Sequence, residues 1–171
     1  MAGPTLSILI EDYSPTTDFQ KIYNLIDNLS EERKGKNFYM PASLVSSTSN
    51  ELMPFSFDII DINSTESEYD TQELAQIETR TNFNPSTYVL LMAMTNSLES
   101  HKLLGKLALR IAEIFNGIID FGGKLNTNDN IKGTVYNIDY ETAEYTRMQY
   151  NIGDAEFMKY WLVHENFNLV K

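Results

Sequence analysis

The sequence predicts an α+β fold. It reads as one domain over residues 1–171, a mostly antiparallel sheet with helices packed largely on one face. Three observations carry this reading. Apolar spacing switches repeatedly between a strand period of two and a helix period of roughly 3.6. The elements open in the order β-α-β-β-α-β, the ferredoxin-like pattern. No linker or internal repeat interrupts the 171 residues, a length that buries a full core in one domain.

Leu6, Ile8 and Ile10 alternate with Thr5, Ser7 and Leu9, which predicts a mostly buried first strand. "SPTTD" turns the chain, and Thr17 or Asp18 is placed to cap a helix over residues 18 to 32, with Phe19, Ile22, Tyr23, Ile26 and Leu29 on one face. "ERKGKN" ends that helix, and a short strand at 37–41 follows. Phe55, Phe57 and Ile59 alternate with Ser56 and Asp58 in a strand running to about Ile62. After the acidic loop "NSTESEYDTQ", a weaker helix over 70–81 turns Tyr69, Leu74 and Ile77 inward. "STYVLLMAMT" is a near-continuous apolar run and predicts a buried central strand.

The strongest helix covers residues 98 to 116, with Leu104, Leu107, Ala108, Ile111 and Phe115 in one stripe and Lys102, Lys106, Arg110 and Glu113 off it. A short strand follows. "GTVYNIDYE" and "YTRMQYNI" form a hairpin about Thr142 and Ala143, and Asp154 caps a last helix, "AEFMKYWLV".

"IFNGIIDFGGKL" holds three glycines, Gly117, Gly122 and Gly123, and raises the question of a phosphate loop. Such a loop sets its glycines after a strand and before a helix, so that free N–H groups and the helix dipole face the anion. Here the helix comes first and no helix opens afterwards. Lys124 is not followed by Ser or Thr. Gly117 suits the left-handed residue past a helix end, and Gly122-Gly123 a tight turn or close packing. The glycines turn the chain.

Composition narrows the function classes. There is no cysteine, so a thiolate metal site, a cysteine nucleophile and a disulfide framework are excluded. The net charge of −11 disfavours binding to nucleic acid or an anionic membrane. The N-terminus lacks the basic n-region of a signal peptide, and no apolar run reaches membrane-spanning length; a cytoplasmic location is expected. His101 and His164 stand far apart and in no ligand motif, so they read as surface or structurally bonded groups. No GxSxG elbow is present. No catalytic, cofactor-binding or metal-binding residues are assigned, and the reading is non-enzymatic.

Two acidic patches remain. Asp58, Asp61, Glu66, Glu68 and Asp70 gather about one strand end and its loop, while Asp139, Glu141 and Glu144 lie near the hairpin tip. A solvated, solubilising surface accounts for both. The sharper reading is a contact surface for a cationic partner, with Tyr140 and Tyr145 as aromatic anchors.

Three blocks, "GPTLSILI", "NGIIDFGG" and "DAEFMKYWLVHENFNLVK", together resemble small bacterial proteins linked to polymorphic-toxin immunity, in the same order along the chain. The resemblance implies a cytoplasmic protein that binds and neutralises a cognate toxin by occlusion, a basic one matching the acidic charge. It carries no site residues over. The partner-binding set is therefore Asp58, Asp61, Glu66, Glu68, Asp70, Tyr140, Glu141, Glu144 and Tyr145, read from the residues alone. Two alternatives stand beside it: a small metal-dependent hydrolase using Asp58 and Asp61, and a self-associating adaptor domain.

Overall fold

The computed structural model describes residues 3–127, 131–142 and 146–170. The elements are β1 (Thr5–Ile10), α1 (Asp18–Leu29), β2 (Glu32–Lys34), β3 (Asn37–Pro41), a 3-10 turn (Ala42–Leu44), β4 (Leu52–Asp61) and α2 (Thr71–Thr81). They continue with β5 (Thr87–Ala93), α3 (Leu98–Phe115), β6 (Ile118–Asp120), β7 (Val135–Glu141), β8 (Arg147–Gly153) and α4 (Ala155–Trp161). All strands join one sheet in the order β2-β3-β4-β5-β1-β6-β8-β7, and every neighbouring pair is antiparallel. The fold is α+β, as the periodicities predict.

The strand order is not that of a split βαβ unit. There, the strands flanking the first helix run parallel with one strand between them. Here the strands flanking α1 are β1 and β2, and three strands, β3, β4 and β5, stand between them instead of one. Local pattern specifies the elements, whereas strand order depends on which apolar faces meet.

Helices α1, α3 and α4 cover one face of the sheet, burying Ile22, Ile26, Leu104, Leu107, Ile111, Phe157 and Trp161 against Leu6, Ile8, Ile10, Phe55, Phe57, Val89 and Leu91. Each such side chain contributes about 1.5–3 kcal/mol of burial. Among the described residues, the other face carries α2 alone. Ile77 packs there with Leu9, Ile60, Tyr88, Ile118, Ile138, Tyr150 and Ile152. Period two along β1 feeds both layers, since Leu9 belongs to the α2 side and its even-numbered neighbours to the other.

Strand β2 falls in "ERKGKN", which the sequence reading treats only as a helix end. Gly35, with φ +63°, allows a tight reversal that pairs Glu32 with Tyr39. The left-handed residue after α3 is Asn116 (φ 50°) rather than Gly117. Gly117 is required for a different reason: a Cβ there would lie 2.6 Å from the carbonyl oxygen of Leu9. Gly122 does hold a positive φ, +66°. His101 is buried, with Nε2 2.9 Å from Oδ1 of Asn96 and Nδ1 accepting from the Leu169 amide at 3.0 Å. It is a structural histidine, fastening the C-terminal segment to α3.

Candidate functional site

The sheet register sets the site. Ser7 stands opposite Leu90 on one side and Asp120 on the other, so the α2 face carries Leu90, Ser7 and Asp120 in a row. Asp120 ends the short strand β6 in apolar company, between Ile119 and Phe121. On the helix side, Asp70 caps α2, its Oδ1 accepting from the amides of Gln72 and Glu73 at 2.8 Å each. That cap fixes Tyr69 just before the helix and Glu73 in its first turn, both turned onto the sheet. Tyr140 and Tyr150 close the far wall from the hairpin.

These groups line a cleft of about 240 Å³ with Glu68, Leu90 and Met148. The phenol of Tyr69 donates to Asp120 Oδ2 at 2.7 Å, and the Gly122 amide donates to Oδ1 at 2.7 Å. Tyr150 donates to Glu73 Oε1 at 2.7 Å and packs edge-on to Tyr140, ring centroids 6.3 Å apart. Tyr69 packs edge-on to Tyr88, whose hydroxyl oxygen accepts from the Glu68 amide at 3.2 Å.

Both carboxyls are 7% exposed, and no Lys, Arg or His lines the cleft among the described residues. Burial pushes Asp120 up to about 7, against the opposing pull of its Tyr69 and Gly122 donors. Burial also raises Glu73, again only partly offset by Tyr150. The phenols of Tyr69, Tyr140 and Tyr150 are all raised, first by burial and then by the neighbouring carboxyls. Burial thus holds protons on both carboxyls more tightly than water does.

The sequence-chosen residues divide. Glu68 and Tyr140 line the cleft, and Asp70 shapes it as the α2 cap. Glu66 is exposed on the adjoining loop. Asp58 is held in an ion pair with Lys36, and Asp61 Oδ1 accepts from the Asn63 amide at 2.8 Å in a turn. Asp58 and Asp61 lie three apart on one strand, so their side chains leave opposite faces of the sheet and do not clasp one ion. Among the described residues, no three His, Asp or Glu side chains are placed to hold a metal. Glu141 is exposed at the end of β7, opposite Arg147. Glu144 and Tyr145 lie outside the described residues.

Sequence reasoning passed over Glu73, Tyr69 and above all Asp120 as site residues, while Tyr150 was marked only as one of the hairpin phenols. One signal was available for Asp120, a lone carboxylate inside "IIDF". For Glu73 there was none, because a first-turn helix Glu is ordinarily solvated.

Beyond the cleft, α2 leaves part of this face uncovered. Tyr39 and Leu52, on the side of β3 and β4 that shares a face with Pro54, are 39% and 44% exposed. Among the described residues no helix is long and apolar enough to cross a membrane.

Fold and cleft together define a single-domain α+β protein with an acidic, tyrosine-lined cleft on its thinly covered sheet face. The chain belongs to a family of unknown function, DUF6368, whose model matches residues 2–171. No curated protein and no solved structure matches it.

Proposed function

We propose that this is a non-enzymatic binding protein of the immunity type, which occludes a basic protein toxin with its α2-bearing sheet face. One observation carries the reading: Asp120 and Glu73 are buried in an open cleft that no Lys, Arg or His lines among the described residues. A Lys or Arg side chain from a partner supplies the missing counter-charge and satisfies the remaining carboxylate lone pairs. Tyr69, Tyr140 and Tyr150 supply the aromatic walls that such anchors favour. The exposed carboxylates of Glu66 and Glu68 draw the partner in, and the uncovered apolar surface at Tyr39 and Leu52 gives it area to bury. Location in the cytoplasm, beside the site where a toxin is made, belongs to the same reading.

The test is a pull-down with the product of the neighbouring gene, followed by co-expression to ask whether toxicity is suppressed. Capture by the wild-type chain, weakened when Glu66 and Glu68 are both changed to Lys, is the expected result. No capture, or capture indifferent to those reversals and to salt, overturns the reading.

A further inference from the structure

On the other side of the sheet, where three helices pack, the charge balance is reversed. The stripe Lys102, Lys106 and Arg110 runs along α3 at four-residue spacing, and Lys159 of α4 faces it. Lys106, Arg110 and Lys159 line a groove of about 500 Å³ with a single carboxylate, Glu113, among them. Glu113 is shared: Oε1 lies 2.7 Å from Lys159 Nζ, and Oε2 accepts from Arg110 at a long 3.4 Å. Lys106 spends one donor on the Leu44 carbonyl at 2.8 Å. Three cations thus face one acid, on a chain whose net charge is −11.

Between these charges the groove is apolar. Leu103 and Met40 form a fully buried floor, and Leu29, Leu109 and Leu162 make the walls. At the mouth Val163 is 85% exposed and Leu44 40% exposed. A concave apolar cavity of this size with a few convergent charged groups has the character of a small-molecule site rather than of a flat protein contact.

We propose that this groove binds an aliphatic carboxylate, its tail along Leu29, Leu103, Leu109 and Leu162 and its head between Lys106 and Arg110, the two cations of the groove that Glu113 holds least tightly. The occupant follows from charge complementarity. The cationic rim selects an anionic head, and the apolar floor excludes a ligand without a tail. The site lies across the sheet from the acidic cleft and does not depend on what that cleft binds.

Dodecanoate is the probe, titrated calorimetrically into the whole chain below its micelle range. Acetate, which has the head alone, and dodecyltrimethylammonium, which has the tail with the opposite charge, serve as comparators. Saturable one-to-one binding of dodecanoate only is expected, weakened about tenfold or more in a Lys106→Gln/Arg110→Gln variant whose circular dichroism is unchanged. A second variant, Val163→Asp, alters only the exposed mouth and should weaken binding as well. Absence of saturable binding, equal binding of the cationic amphiphile, or affinity untouched by either variant overturns the proposal.

Discussion

The Tyr69 phenol donates a 2.7 Å hydrogen bond to Asp120 Oδ2, joining residues 51 positions apart. It ties the entrance of α2 to the middle of the sheet and gives a buried carboxyl one of its two donors. Around that bond the molecule keeps its most perturbed acid, on the face that only one helix covers. A carboxyl held in this way stays ready to ionise when a cation arrives.

Asp120 should make stability pH-dependent in an unusual direction. Its folded value of about 7 lies above the ordinary 3.8, so the folded chain binds the extra proton between those values. Unfolding free energy from this group therefore falls as pH rises from about 4 to about 7 and is level beyond. Asp120→Asn should remove that contribution. The comparison is of urea midpoints for the two proteins across this range; identical slopes would show that Asp120 ionises normally.

Tyr150→Phe should cost about 1–3 kcal/mol, because it strips the donor from a buried Glu73 oxygen. Glu73→Gln keeps an acceptor for Tyr150 and removes the buried charge, so it should cost less at neutral pH. Denaturant unfolding of both singles and the double variant isolates what the carboxyl of Glu73 adds to this bond over a neutral acceptor. A Tyr150→Phe cost that persists undiminished in the Glu73→Gln background would show that the carboxyl of Glu73 adds nothing beyond an acceptor.

Gly117→Ala should destabilise by about 1–3 kcal/mol, since its new methyl meets a backbone oxygen of β1 that has no room to move. Asn116→Gly should be neutral or slightly stabilising, because Asn116 already holds the left-handed conformation that glycine adopts freely. Thermal melts of the two variants decide the matter. If Asn116→Gly were the damaging change, the side chain at 116 would matter more than its backbone.

Charge on the loop before α2 should govern encounter with a basic partner. Glu66→Lys with Glu68→Lys should slow association and flatten its salt dependence. Asp70 is excluded from this set because it caps α2, so replacing it would cost about 1 kcal/mol of stability. Tyr140 also packs on Tyr150, so Tyr140→Ala would weaken the fold as well as any contact. Stopped-flow association at two ionic strengths is the measurement. A rate insensitive to both the reversals and salt would reduce the acidic loop to a solubilising role.

The sequence by itself determined the local elements. Alternation marked β1, β4 and the hairpin, helical spacing marked α1 and α3, and Asp154 stood where a cap belongs. Each is decided by residues within a turn or two of one another. It also set the glycines of "IFNGIIDFGGKL" after a helix, the reverse of the order a phosphate loop needs, since that order lies on the line of the chain. Tertiary structure decided the rest. The insertion of β5 between β4 and β1, and the single helix on the second face, depend on which apolar surfaces meet across long separations. Those two choices place Tyr69 against Asp120 and Tyr150 against Glu73. Whether a carboxyl is solvated or buried is a property of what the fold lays over it, and no spacing along the chain encodes that directly.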